Sequence, residues 1–269
     1  MIPEKQVTAD TIDKLILELW DTMIQLRAPG GCPWDRDQTA RSLIPYLLEE
    51  TYELIEAIES GNQQEIREEL GDLLLHVIFQ GLIAEEQEHF TLADSIRSII
   101  NKLVQRHPHV FGDHPAEGAY QAKRNWETVK ANEKKRDSLI DGVPKKLPAL
   151  NRARRVQEKA AHGGFDWDSV DAVWDKVHEE MAELAAARNS GDPDEIEDEL
   201  GDLLFSVVNL GRFLGVSSEE ALRRTIAKFE YRFRKIEEEL KRRGKTPQES
   251  TLEEMDAIWN ETKKIDAKI

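Results

Sequence analysis

Carboxylates carry the first chemistry that this sequence offers. Glu49-Glu50-Thr51-Tyr52-Glu53 is followed by Glu69-Leu70-Gly71-Asp72, and Glu179-Glu180-Met181-Ala182-Glu183 is followed by Glu199-Leu200-Gly201-Asp202. Each block sets two acids three residues apart, so that on a helix they share one side. Leu47, Leu54, Ala57 and Ile58 form an apolar stripe that contains Glu50, and Ile66, Leu70, Leu73 and Val77 mark a second stripe that Glu69 and Asp72 border. The acids thus interrupt inward faces. A short turn joins the two helices of each block, so they pack as an antiparallel hairpin and four carboxylates converge. Two like charges ~4 Å apart repel by roughly 4 kcal/mol at an effective dielectric near 20, so each quartet needs protonation or a bound cation. All-oxygen donors without Cys or His favour Mg2+, with Mn2+ as a substitute, over Zn2+. Mg2+ shares its sphere with substrate phosphates, which points to a phosphorylated substrate.

The elements that must position these acids occur twice. A shift of 130 residues lays the first acid block on the second, Ser60-Gly61 on Ser190-Gly191, Glu65-Ile66 on Glu195-Ile196, and the run from Glu69 to Leu74 on Glu199 to Leu204. With small adjustments Trp34-Asp35 answers Trp167-Asp168, Lys102 and Arg106 answer Lys228 and Arg232, and Trp126 and Lys130 answer Trp259 and Lys263. A period this long means two copies of one domain, since solenoid units run to about 20 to 50 residues. Apolar periodicity predicts helices near 10–28, 42–59, 63–88, 92–107 and 117–134 in the first copy. It predicts helices near 148–161, 169–189, 193–214, 218–243 and 251–267 in the second. The fold class is all-α, two tandem copies of a small helical bundle. The domains are 1–132 and 149–269, joined by a charged linker over 133–148 that contains Gly142, Pro144 and Pro148.

Composition narrows the function. The 269 residues include 37 Lys and Arg against 53 Asp and Glu, a net charge of −16. That balance excludes general nucleic-acid binding, which needs a basic surface to displace phosphate counterions. The basic stretch from Lys123 to Lys159 reads as a solvated linker face. A lone Cys32 excludes a disulfide scaffold and fits a reducing, cytoplasmic compartment; with no nucleophile signature around it, it reads as a small packed residue beside Pro33. Glu4, Lys5, Asp10 and Asp13 stand where a signal peptide needs an apolar core. The longest uncharged apolar stretch, Leu73 to Ala84, is shorter than the ~20 residues that span a bilayer, so no membrane partner is expected.

Glu-Glu-x-x-Glu followed by Glu-x-x-Asp resembles the MazG nucleoside triphosphate pyrophosphohydrolases, within the all-α NTP pyrophosphatase superfamily. The resemblance takes in Gly31-Cys32-Pro33-Trp34-Asp35, Arg106-His107-Pro108-His109-Val110-Phe111 and Gly164-Phe165-Asp166-Trp167-Asp168, and spans nearly the whole chain in the manner of the long, two-domain members. It implies Mg2+-dependent cleavage of ribo- and deoxyribonucleoside triphosphates, ATP included, to the monophosphate and pyrophosphate. It also implies a homodimer that completes the bundles. The implied metal ligands are Glu180, Glu183, Glu199 and Asp202, with first-copy equivalents Glu50, Glu53, Glu69 and Asp72. Implied nucleotide contacts are Lys176 to Glu180, then Glu195, Ile196, Glu197 and Asp198, then Lys228 to Arg232, and Trp259.

Physically, Lys228 and Arg232 lie four apart on one helical face and reach a triphosphate together, while Trp259 stacks on a base with little regard to its identity. In the expected mechanism Glu179 or Glu180 orients or deprotonates a water, and metal, Lys228 and Arg232 stabilise the departing pyrophosphate. His107 and His109 read as helix-end caps that line the substrate cleft. The first copy keeps all four acids, but its helix breaks at His107-Pro108 where the second continues through Phe233-Arg234-Lys235-Ile236. The second copy is therefore the expected catalyst, and the first a regulatory or dimerising module. The alternative for the whole chain is a non-catalytic helical protein-interaction module whose acids serve solubility.

Overall fold

The computed structural model describes residues 9–112, positions 118, 121, 122, 125, 126 and 129, and residues 138–266. Among the described residues the chain is helical and contains no strand, and it divides into two units between Glu133 and Lys134. In the first unit α1 (Ala9–Arg27), α3 (Ile44–Ser60), α4 (Gln63–Glu86) and α5 (Leu92–Arg106) follow the predicted helices closely. Two short helices were not expected, α2 (Pro33–Asp37) and α6 (Pro108–Phe111). Each begins on a proline, whose fixed φ suits a first helical turn and whose missing N–H has no partner to lose there. The helix predicted near 117–134 lies largely outside the described residues, and its described positions are helical.

The second unit holds α7 (Ala149–His162), α8 (Val170–Ser190), α9 (Pro193–Phe213), α10 (Ser218–Arg242) and α11 (Leu252–Asp266), with a 3-10 turn at Pro247–Glu249. The first part of the expected linker, 133–137, lies outside the described residues. Its remainder forms turns, and Lys159 Nζ on α7 donates to Leu139 O at 3.2 Å, which ties that segment to the second unit.

Two helical hairpins dominate, α3 on α4 and α8 on α9. Their turns are copies of one another. Gly61 (φ 72°) and Gly191 (φ 75°) end α3 and α8 in the left-handed conformation that favours glycine. Ser60 Oγ donates to Ala57 O at 3.0 Å and Ser190 Oγ to Ala187 O at 2.9 Å. Asn62 then caps α4 by accepting from Gln64 N at 3.1 Å, and Asp192 caps α9 by accepting from Asp194 N at 3.0 Å. These caps satisfy orphan N–H groups of the following helices and fix where each begins.

The core of the first unit gathers Met23, Leu43, Ile78, Phe79, Leu82 and Ile83. The second unit has two smaller clusters, Val173 with Val177 and Leu210, and Ile236 with Leu240 and Ile258. The apolar stripes expected to face inward do so only in part: Leu70 and Val77 are each 54% exposed and Ile58 is 57% exposed. The reason is that α4 has two apolar faces. Ile78, Phe79 and Leu82 pack toward α1, while Leu70, Leu74 and Val77 form a second, uncovered stripe. Leu200, Leu204 and Val207 repeat that uncovered stripe on α9. Among the described residues no single helix is long and apolar enough to cross a membrane.

Candidate active site

The hairpin turn dictates how the acids meet. Glu50 stands 11 residues before Gly61 and Asp72 stands 11 after it, while Glu53 and Glu69 each stand 8 from the same glycine. Residues equally far from the turn of an antiparallel hairpin lie level with each other. Glu180, Glu183, Glu199 and Asp202 keep the same distances from Gly191. Accordingly Glu50, Glu69 and Asp72 bring carboxylate oxygens within 4.8 Å of one another, and Glu180, Glu199 and Asp202 do the same. The fourth acid of each quartet borders its trio. Glu53 hydrogen-bonds Glu50 and acts on Glu69, and Glu183 hydrogen-bonds Glu180 and feels Glu199.

The two clusters differ in electrostatics. In the first, burial and then the neighbouring Asp72, Glu53 and Glu69 push the Glu50 carboxyl up to about 7. Burial and then Glu53 and Asp72 likewise raise Glu69. In the second, Lys176 stands where the first copy has Tyr46. Its Nζ donates to Glu179 Oε1 at 2.7 Å and to Glu180 Oε1 at 2.8 Å, and these bonds raise the lysine's own pKa. Glu183 is raised, first by burial and then by its bond to Glu180.

Each cluster also contains a buried oxygen that no donor satisfies, Glu69 Oε2 in the first and Glu180 Oε2 in the second. Glu180 is 5% exposed. A desolvated carboxylate oxygen without a donor is costly unless a cation meets it. An all-oxygen trio with such an orphan fits a hard divalent ion.

The remaining predicted residues fall into two groups. Glu195 Oε2 accepts from Ser190 Oγ at 2.8 Å at the hairpin turn, Ile196 is half-buried, and Glu197 and Asp198 are exposed on α9. The second group lies on α10 and α11, and α10 leaves α9 at 104°. The Arg232 guanidinium sits 5.4 Å over the Trp259 ring, and Arg106 sits 5.4 Å over Trp126 in the first copy. Trp259 also meets Phe229 at 5.4 Å and packs on the Ile236, Leu240 and Ile258 cluster, so it is wedged between core and cation. Lys228 and Arg232 line an open groove of about 880 Å3 together with Arg224, Tyr231 and Lys263. Sequence reasoning gave Arg224 and Lys263 no role, although Arg224, Lys228 and Arg232 follow one another at four-residue spacing on one helical face. His107 Nδ1 bonds Leu103 O at 2.6 Å at the end of α5. Cys32 is half-buried with a free thiol.

Residues 38–111 and 169–236 match the family model described as the MazG nucleotide pyrophosphohydrolase domain. The chain belongs to the MazG family. It is 49% identical over 251 residues to the Thermotoga maritima nucleoside triphosphate pyrophosphohydrolase/pyrophosphatase MazG, which covers 93% of this chain and 96% of that protein. It is 42% identical over 259 residues to the Escherichia coli K12 nucleoside triphosphate pyrophosphohydrolase, covering 94% and 97%. It is 44% identical over 246 residues to Bacillus subtilis YabN, covering 90% of this chain and 50% of that protein. Each MazG stretch contains one acid hairpin, and the second also contains Lys228 and Arg232, whereas Trp126 and Trp259 lie outside both.

Proposed function

We propose that this MazG protein is a cytoplasmic nucleoside triphosphate pyrophosphohydrolase. It splits ribo- and deoxyribonucleoside triphosphates into monophosphate and pyrophosphate with broad base tolerance, and its second copy is the catalyst. The observation that carries this reading is the trio Glu180, Glu199 and Asp202, with its unpartnered Glu180 Oε2 beside the Lys176 ion pair. The domains proposed are 1–132 and 149–269, with 133–148 between them.

Glu180, Glu199 and Asp202 hold Mg2+, with Glu183 at the edge and Mn2+ as a substitute. Bound there, the metal supplies charge neutralisation for triphosphate oxygens and a more acidic water. Lys176 fixes the Glu180 carboxylate and keeps Glu179 beside it, where Glu179 orients the water and takes its proton. Lys228 and Arg232, with Arg224 and Lys263 in the same groove, grip phosphate oxygens and offset the charge that develops on pyrophosphate. Trp259 holds the plane of the Arg232 guanidinium. A homodimer fits the uncovered stripes Leu70, Leu74 and Val77 and Leu200, Leu204 and Val207, because a second hairpin would bury them.

The test is a panel of ribo- and deoxynucleoside triphosphates incubated with and without Mg2+, with products separated by anion exchange. Monophosphate plus pyrophosphate, formed only with the metal, is expected. Diphosphate plus orthophosphate would refute the assignment.

A further inference from the structure

A cavity of about 410 Å3 opens in the first unit, between α4, the loop that follows it and the start of α5. Nothing in the hydrolase reading uses it. Its walls are apolar, with Leu47, Val77, Ile83, Phe90 and Leu92, and among the described residues that line it there is no Asp, Glu, Lys or Arg. A charged ligand would lose its hydration there with nothing to offset the loss, so the ligand that such a wall accepts is uncharged.

One polar side chain interrupts the wall. His76 is 6% exposed, and its Nδ1 is buried with no hydrogen-bond partner. Gln80, one turn further along α4, donates from its Nε2 to Ala40 O at 3.1 Å instead. Burial lowers the pKa of His76, against the pull of Asp72, so at neutral pH the ring keeps one bare nitrogen and one N–H. A hydroxyl both donates and accepts, and therefore satisfies Nδ1 in either tautomer. Buried polar atoms are rarely left alone without a ligand or water.

The cavity belongs to the first copy and is not required by the fold. In the 130-residue register Leu47, His76 and Gln80 correspond to Val177, Ser206 and Leu210. Ser206 Oγ donates to Leu203 O at 2.9 Å, and Val177 and Leu210 are core. The second copy thus has a satisfied hydroxyl and packed aliphatic groups where the first has an unpartnered histidine beside open space. Helix length adds to the difference. α4 runs to Glu86, three residues beyond the position that matches Phe213, where α9 ends. The loop after α4 turns through Glu88, at φ 56° the one non-glycine residue with positive φ among the described residues, and His89 N donates to Ala84 O at 3.0 Å. Thr91 and Asp94 then form the capping box that starts α5. Phe90 is held between these two fixed points, lining the cavity with a ring that is 49% exposed.

An apolar cavity of about 150 Å3 holds one benzene ring, so about 410 Å3 takes two fused rings with room for a polar substituent. We propose that the first unit binds an uncharged, largely apolar molecule the size of two fused rings that carries a hydroxyl, with its rings against Leu47, Ile83 and Phe90 and its hydroxyl on His76 Nδ1. The proposal does not depend on which copy hydrolyses triphosphates, and it gives the first copy a ligand of its own.

The test is equilibrium dialysis of the full chain with β-naphthol and with β-methylnaphthalene, which has a methyl group in place of the hydroxyl. No nucleotide is present, so the result stands apart from the hydrolase activity. The wild-type chain is expected to retain one β-naphthol. His76→Phe keeps a ring and removes its nitrogens, and is expected to weaken β-naphthol about tenfold while leaving β-methylnaphthalene within about twofold. Ala84→Leu puts a larger side chain into the cavity and is expected to abolish retention of both. Thermal melting checks each variant, and either one decides the matter if the other does not fold. No retention of β-naphthol by the wild-type chain would overturn the proposal, as would equal weakening of both compounds in His76→Phe. Binding that survives in a folded Ala84→Leu would also overturn it, and would point to the second unit's cavity of about 400 Å3, which Phe165, Trp167 and Phe205 line with the buried Gln157.

Discussion

The two hairpins of this protein carry the same acids at the same distances from the same kind of turn, yet they sit in different company. Around Gly61 the trio Glu50, Glu69 and Asp72 has Tyr46 at the position of Lys176 in the 130-residue register, and burial together with the neighbouring acids pushes the Glu50 carboxyl up to about 7. Around Gly191 the matching trio includes Glu180, which Lys176 pairs with at 2.8 Å, so a lysine stands here where the first copy has a tyrosine. Beyond the acids, Phe79 and Leu82 close the first copy into a core, whereas Asn209 and Arg212 leave the second with an aromatic cavity. Duplicated acids therefore sit in two different surroundings. What distinguishes the two hairpins is the lysine and the space beside the carboxylates.

Breaking the metal trio should expose this difference most sharply. Glu180→Gln is expected to lower kcat/KM for ATP by on the order of 10³-fold, and Glu50→Gln to leave it within about twofold. Steady-state pyrophosphate release checks both, and equal losses would erase the distinction. Lys176→Met removes the cation and is expected to lower kcat/KM by on the order of 10–100-fold, while Tyr46→Leu in the first copy changes nothing. Arg232→Ala should raise KM by on the order of tenfold, with Arg106→Ala silent in the same assay.

The smallest effect concerns pH. Glu50 has its folded pKa raised from 4.5 to about 7, so its contribution to stability is complete below the lower value and is lost as pH rises through the upper one. In a chelator, the melting temperature of the full chain is expected to fall by a few degrees between about pH 5 and pH 8. Glu50→Gln should flatten that slope, and added Mg2+ should restore stability at the alkaline end. A melting temperature that rises over this window in a chelator and is untouched by Glu50→Gln would contradict the burial and crowding of Glu50 in the first cluster.

Much of this was legible in the sequence because the signals were local and repeated. Helix positions follow from apolar periodicity, and the acid trios follow from three-residue spacing on two hairpin helices. The inward stripes are legible only in part. Leu70 and Val77 belong to a second apolar face of α4, and periodicity alone cannot say which of two faces the rest of the chain covers. Trp259 looked like a free stacking surface, but its packing on Phe229 and under Arg232 depends on how α10 meets α11. Gln157 carried no signal, since a glutamine in a helix is ordinary until its amide is found buried against Phe205 O.

Anomalous scattering from crystals of the full chain soaked with Mn2+ tests the central claim most directly. A peak enclosed by carboxylate oxygens of Glu180, Glu199 and Asp202, lost in Glu180→Gln, is expected. Saturating Mn2+ that supports turnover yet leaves no peak among those three residues would contradict it.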